Sequence, residues 1–267
     1  TLGKHRRTIL CAPTGAGKTI MFTYLISEHL KRGGNVLVLT HRTELLKQSG
    51  SSFQKFGLSP EFIVAGSKPD LTARLHVCMV ETLERRKEAY NEFLLSKSLV
   101  VIDEAHLNIF TKILPSISQK AYVIGATATP ERKGRTTPSL DEFYTGIVQR
   151  IDTPQLIEQG FLSTAKTYGM PISLKGIKRR GNDYDTSEYY EENKTYIGVV
   201  KNWKRLCEGK KTILFASNVK SSKRVCEEFN ASGYPARHID GNTPQNEREE
   251  TLEWFDKTPD AIVCNCG

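Results

Sequence analysis

The stretch Ala12-Pro13-Thr14-Gly15-Ala16-Gly17-Lys18-Thr19 follows directly on the apolar run Thr8-Ile9-Leu10-Cys11. A strand that stops in a Gly-rich turn and restarts as a helix aims several backbone N–H groups and the positive helix end at one spot, which suits a polyphosphate. Gly15 and Gly17 supply the turn, and Pro13, Thr14 and Ala16 complete the loop. Lys18 is placed to reach the β- and γ-phosphates of ATP, and the Thr19 hydroxyl to ligate the Mg²⁺ that bridges them. The strict pattern opens with Gly, where this chain has Ala12; by itself the stretch is also compatible with a chance Gly-rich loop.

A second element narrows that choice. Asp103-Glu104-Ala105-His106 follows Leu99-Val100-Val101-Ile102, a β-branched run that reads as a fully buried parallel strand. Its end delivers the Asp103 carboxylate to the carboxyl edge of a sheet, beside the first loop, where Mg²⁺ needs a hard anionic ligand. Glu104 is then placed to orient or deprotonate the attacking water. An isolated acidic pair is more often a solvated loop, but after a phosphate loop the pair completes a nucleotide site. Thr127-Ala128-Thr129 follows as a third element.

At these residues the chain resembles the superfamily 2 helicases, in particular the DEAH-type DNA helicases and translocases of bacterial repair, bacteriophage and nucleotide-excision systems. In that family Ala commonly replaces the leading Gly. Thr40-His41-Arg42-Thr43-Glu44-Leu45 is similar to the next motif, on the nucleic-acid face, and Val80-Glu81-Thr82-Leu83-Glu84-Arg85-Arg86 to the one after it. Ile213 to Ser217 and His238 to Gly241 resemble the opening motifs of a second motor domain. The resemblance implies two RecA-like domains with parallel sheets, ATP between them and a nucleic-acid strand across their shared top. It casts Lys18, Asp103, Glu104 and His106 as catalytic, Thr127 to Thr129 as coupling residues, and Arg42, Thr43, Thr82, Arg85 and Arg86 as nucleic-acid contacts, with Ser217 and His238 weaker candidates in the second domain. Departures are equally visible. The upstream Gln-containing segment that reads adenine in many relatives is not seen, and Leu107 stands where close relatives carry a second His. Ala261 to Gly267 resembles only the start of the fifth motif, so the second domain is expected to be truncated and the arginine of the sixth motif to be missing.

Composition agrees with this class. The 267 residues suffice for two cores, and 38% hydrophobic with 25% charged residues is ordinary for a soluble protein. No stretch has the length and apolarity of a membrane span or signal peptide, which predicts an intracellular, cytoplasmic protein. A net charge of +8 favours a polyanionic partner. Six cysteines without C-x-x-C spacing indicate neither a zinc site nor a disulfide framework.

Short β-branched runs at Thr8 to Cys11, Val36 to Leu39, His76 to Met79, Leu99 to Ile102 and Ala121 to Ile124 alternate with helical patterns, predicting a parallel sheet covered on both faces. The helix after Lys18 is expected to turn Tyr24, Leu25 and Leu30 inward and to end at Gly33-Gly34. A second alternation predicts strands at Thr212 to Phe215, Ala236 to Ile239 and Ala261 to Cys264, a helix over Val219 to Phe229, and another introduced by Thr243 with Pro244 in its first turn. The expected organisation is a first RecA-like domain over 1–165, a connector over 166–194, and a second, incomplete one over 195–267. Within the connector, the basic run Lys175 to Arg180 reads as a solvated loop and Asp183 to Glu192 as an exposed approach. The expected function is an ATP-dependent DNA helicase or translocase. Alternatives are an RNA helicase with the same motor, a nucleotide-gated nucleic-acid switch that does not unwind, or the motor portion of a restriction enzyme.

Overall fold

The computed structural model describes residues 4–41, 52–131, 138–169, 178–180, 183–185 and 198–266, the two three-residue stretches as backbone alone. The chain forms two compact units, Thr1–Thr167 and Tyr168–Gly267.

Seven strands make the sheet of the first unit: β1 (Arg7–Cys11), β2 (Val36–Thr40), β3 (Glu61–Ile63), β4 (Leu75–Met79), β5 (Leu99–Asp103), β6 (Tyr122–Thr127) and β7 (Gly146–Gln149). Their order is β3-β4-β2-β5-β6-β1-β7, and every neighbouring pair is parallel. All seven carboxyl ends therefore lie on one edge, and the segments following the strands begin there. The central strands β2 and β5 are buried at every residue, which explains their unbroken apolar runs. Successive side chains serve opposite faces: Val36 and Val38 pack with Phe22 and Ile26, while Leu37 and Leu39 pack with Leu83 and Phe110.

The helix after the phosphate loop, α1 (Lys18–Lys31), buries Phe22, Thr23, Ile26 and Ser27. Leu25 and Leu30 are partly buried against that core, but Tyr24 is 56% exposed, contrary to expectation. With the face set by Phe22 and Ile26, a residue two positions from either points about 200° away. The helix ends as expected in a Schellman motif, with Gly34 N–H donating to the His29 carbonyl (3.1 Å) and Gly33 N–H to that of Leu30 (3.0 Å). Gly33 has φ +86°, which glycine adopts without strain.

The edge strands β3 and β7 escaped sequence reading because they are three and four residues long and half exposed. Before the expected connector lies the helix Thr153–Glu158, fixed by a capping box between Asp152 and Gln155 with Pro154 in its first turn. Among the described residues, Lys178–Arg180 (β8) pairs antiparallel with Asp183–Asp185 (β9), where loops were expected. Gly181-Asn182 between them is a hairpin signal that was not used.

In the second unit, β10 (Thr212–Phe215), β11 (Ala236–Asp240) and β12 (Ile262–Cys266) form a parallel sheet in the order β10-β12-β11, with helices Val199–Cys207, Val219–Ala231 and Gln245–Lys257. Helix Val199–Cys207 had not been anticipated. Its Trp203 stacks edge-on against Phe229 and Tyr234 and donates from Nε1 to Thr212 Oγ1 (2.7 Å). The helix expected to start from Thr243 begins instead at Gln245, after Pro244, because the Thr243 hydroxyl accepts from Asp240 N–H (2.9 Å). No helix among the described residues is long and apolar enough to cross a membrane.

Lys97 is a buried cation, 3% exposed, with its Nζ 3.9 Å from the Phe93 ring centroid and donating to His76 Nδ1 (3.3 Å). Among the described residues no carboxylate forms an ion pair with it. Burial pulls its pKa down to about 8. In the window from there to the ordinary lysine value the unfolded chain binds a proton that the folded chain has released, so wild-type stability rises with pH. Lys97→Met, which removes the buried charge at the cost of the His76 contact, is expected to gain about 1–2 kcal/mol at neutral pH and to lack that rise. Urea denaturation near neutral pH and near pH ~9.5 measures both.

Candidate nucleotide-binding site

The phosphate loop joins β1 to α1. Gly15 (φ +85°) and Gly17 (φ +77°) occupy the left-handed region, and Gly17 is the N-cap of α1. These are the conformations that point successive N–H groups into one concavity. Lys18 Nζ folds back on the loop's own carbonyls, donating to Ala12 O (3.3 Å) and Pro13 O (3.5 Å). Its ammonium thus already sits over the cradle that a polyphosphate would fill. Thr19 follows at the second position of α1 and is half-buried.

Asp103 is the last residue of β5 and 7% exposed. Burial and the neighbouring Glu104 push its carboxyl up, while the Glu104 N–H bond (3.1 Å to Oδ1) and the charge of Lys18 pull it down. A carboxylate that is buried, close enough to feel Lys18, and short of partners is a fitting ligand for a divalent cation. Together with the glycine cradle and the Thr19 hydroxyl, the residues present fit ATP·Mg²⁺.

Glu104 has φ +51°, the sole positive φ on a non-glycine among the described residues. For an L-residue this costs roughly 1–2 kcal/mol. Glu104→Gly is therefore expected to be more stable than Glu104→Gln by about 1 kcal/mol in denaturant or thermal unfolding. Equal stabilities would show that the side chain at residue 104 adds no strain at this φ.

From Glu104 a connected set of bonds leads to the end of β6. His106 Nδ1 lies 2.8 Å from Thr127 Oγ1 and 3.3 Å from Glu104 Oε2. Thr127 Oγ1 also donates to Thr129 O (3.1 Å) and accepts from Thr129 N–H (3.1 Å). The Thr127 hydroxyl thus links the His106 ring to the Thr129 main chain. On the main chain, Ala12 N–H donates to Thr127 O (3.1 Å) and Ala105 N–H to Ala126 O (3.0 Å). The phosphate loop, the acidic segment and Thr127 to Thr129 are thus brought together, with Ala128 accepting a long bond from Cys11 Sγ (4.0 Å).

Of the expected nucleic-acid residues, Arg42 and Thr43 lie outside the described residues. Thr82, Arg85 and Arg86 sit on and just after the helix Val80–Arg85, which starts at the carboxyl end of β4 on the same sheet edge; Arg85 is exposed and the other two half-buried. Ser217, in the second unit, is exposed in the turn after β10. His238 is engaged within its own unit, through Nδ1 with Ser222 Oγ (2.9 Å) and through Nε2 with Asp240 Oδ2 (3.0 Å). Asp240 is held below the usual carboxylate range, chiefly by that histidine, and Asn242 N–H caps its Oδ1 (2.8 Å), so Asp240-Gly241 is a turn.

A residue missed by sequence reading is Leu162. Leu162 Cδ2 stands 2.8 Å from where a Cβ on Gly15 would be, packing the segment after helix Thr153–Glu158 onto the phosphate loop. Only the register of β7 on β1, Cys11 opposite Gln149, brings that segment here.

Residues 3–132 match the family described as type III restriction enzyme, res subunit, and residues 198–265 match the helicase conserved C-terminal domain. A 51.5 kDa protein of a Lactococcus phage is 27% identical over 267 residues, covering 95% of this chain and 53% of its own length. IRC3 of Saccharomyces cerevisiae, named as a proposed ATP-dependent helicase, is 27% identical over 282 residues, covering 95% and 40%. The chain spans about half the length of the curated relatives it matches. The helicase domain of Hef from Pyrococcus furiosus shares the fold, with a TM-score of 0.59 at 16% identity over 97% of this chain and 82% of that one. The parallel α/β architecture is the RecA-like fold of helicase domains, and the chain is similar, in succession, to a restriction-enzyme subunit family and to the helicase conserved C-terminal domain.

Proposed function

We propose that this chain is the motor part of a DEAH-type DNA helicase or translocase, with Lys18, Thr19, Asp103 and Glu104 handling ATP. The observation that carries this reading is the bonded set from Glu104 through His106 to Thr127, together with the Ala12 to Thr127 main-chain bond. These bonds tie the acidic segment, the phosphate loop and the end of β6 together on the sheet edge from which the helix bearing Thr82 and Arg85 also starts.

In this scheme the phosphate-loop N–H groups and Lys18 neutralise the charge on the β- and γ-phosphates. Thr19 and Asp103 would hold Mg²⁺, which when bound would supply further charge neutralisation. Glu104 accepts a proton from the attacking water as the water oxygen bonds to the γ-phosphorus and the bond from that phosphorus to the leaving β-phosphate oxygen breaks, giving ADP and phosphate. His106 and Thr127 transmit the state of Glu104 to Thr129. Arg42, Thr43, Thr82, Arg85, Arg86 and, in the second unit, Ser217 hold backbone phosphates, so binding is independent of base sequence and weakens with salt.

The test is ATP hydrolysis by the full parent protein at one salt concentration, with no nucleic acid, with single-stranded DNA, and with RNA of equal length. Selective stimulation by DNA supports the reading. Stimulation by RNA alone replaces the substrate, and stimulation by neither favours a nucleotide-gated binding switch.

A further inference from the structure

We propose that the amino edge of the first unit's sheet, opposite the phosphate loop, carries a second contact for single-stranded nucleic acid: a cavity between α1 and the starts of β5 and β6 takes an unpaired base, and Arg6 and Arg32 take the flanking phosphates. This goes beyond the reading given above, which puts nucleic acid on the carboxyl edge, and rests on it for the class of partner alone.

The parallel sheet keeps its two edges apart. β1 has the phosphate loop at its carboxyl end and Arg6 just before its amino end, and its five residues span about 17 Å. At the amino edge Leu99 opens β5 and Tyr122 opens β6, and the two are register partners. The second half of α1 packs beside them and turns Tyr24, Glu28 and Arg32, spaced four apart, along one side. Between the helix and the strand starts lies a cavity of about 470 Å³, within the range of small-molecule sites.

Its surfaces suit a flat ring. Leu25, Leu99 and Ile124 supply apolar walls, and Tyr24 and Tyr122 supply aromatic ones. The Tyr24 ring, which the helix turns away from the core, is exposed beside the cavity. A base stacks on such rings whatever its identity, and only an unpaired base has free faces to offer.

Cations border the cavity on two sides. On the helix side Arg32, the exposed C-cap of α1, forms part of the wall. On the strand side the Arg6 guanidinium lies 5.2 Å from the Tyr122 ring centroid and donates from Nη1 to the Lys120 carbonyl (2.8 Å), and both Arg6 and Lys120 are exposed. Glu28, the carboxylate in the wall, is tied to Lys31 (2.7 Å). Burial first, and then the charges of Arg32 and Arg74, hold His29 below its ordinary value, in keeping with a positive potential at this edge. Cations at the end of α1 also answer the helix dipole, but Arg6 and Lys120 lie outside that helix, so the dipole does not account for the cluster. Exposed rings set between solvated cations match the way single strands are held, with bases on the rings and phosphates on the charges.

The experiment is a fluorescence-anisotropy titration of the full chain with labelled single-stranded DNA over a series of salt concentrations, for the wild type, Tyr24→Ala, the double variant Arg6→Ala with Arg32→Ala, and, on the carboxyl edge, Arg85→Ala with Arg86→Ala. Loss of two phosphate contacts in the Arg6 and Arg32 variant is expected to flatten the slope of log affinity against log salt by about 1.4. Tyr24→Ala is expected to weaken single-strand binding by about 10-fold and to leave Mg·ADP binding unchanged. A photoreactive base in the strand is expected to crosslink to Tyr24 or Tyr122, located by mass spectrometry, which reads the contact in the wild type and so does not depend on how any variant folds. Unaltered slope and affinity in both amino-edge variants and no crosslink there, with binding still weakened by the Arg85 and Arg86 variant, overturn the inference and leave the carboxyl-edge reading standing. A flattened slope with no effect of Tyr24→Ala and no crosslink reduces the surface to a bare cation patch and overturns the base-binding cavity. No single-strand binding by the wild type overturns both.

Discussion

Glu104→Gln is expected to lower ATP turnover by about 10²–10⁴-fold while leaving ATP affinity within about 2-fold of the wild type. The amide keeps the size of the side chain and its reach toward His106, 3.3 Å away, but cannot accept the proton of the attacking water. It also keeps the backbone strain at φ +51°, so the geometry of the acidic segment is retained. Phosphate release under single-turnover conditions, paired with calorimetric ATP binding, separates the two quantities. Loss of binding in this variant would show that Glu104 shapes the site rather than acting on water, and unchanged turnover would remove it from the chemistry altogether.

Lys18→Ala is expected to weaken ATP binding by more than 10-fold and to reduce turnover by about 10²–10³-fold, the size of effect seen when a preorganised charge donor is removed. Its cost to folding is small. The bonds from Nζ to Ala12 O and Pro13 O are long, at 3.3 and 3.5 Å, and the side chain is only half-buried, so at most about 1 kcal/mol of stability is at stake. A thermal melt that overlays the wild type, combined with lost binding, places the defect at the nucleotide. A large drop in melting temperature would instead assign Lys18 to holding the loop together.

The parts of the molecule legible in the sequence are those where local chemistry admits one conformation. Gly15 and Gly17 stand where the backbone takes positive φ, and β2 and β5 are buried on both faces, which shows as unbroken runs of Val, Leu and Ile. The acidic segment was visible because it terminates such a run. Elements lying half in solvent were harder to read. The edge strands β3 and β7 are short and exposed on one side, and Tyr24 is apolar enough to suggest burial although its angular position excludes it. Helix Val199–Cys207 spaces Val199, Trp203 and Cys207 four apart, a usable signal masked by the polar, acidic stretch before it. Leu162 on Gly15 is a different case, since contacts across so many residues leave no local pattern at all.

The bond from Ala12 N–H to the Thr127 carbonyl bears on how this site responds to mutation. Both partners are main-chain atoms, so alanine scanning of Thr127 to Thr129 strips the hydroxyl relay to His106 yet leaves β6 fastened to the first residue of the phosphate loop. Communication between the two segments therefore has a layer that side-chain genetics does not reach. Exposing it takes a backbone edit, such as proline or an ester in place of the residue 12 amide, and a protein that tolerates side-chain loss at Thr127 while failing under that edit would show the link between the segments to be written in the peptide chain itself.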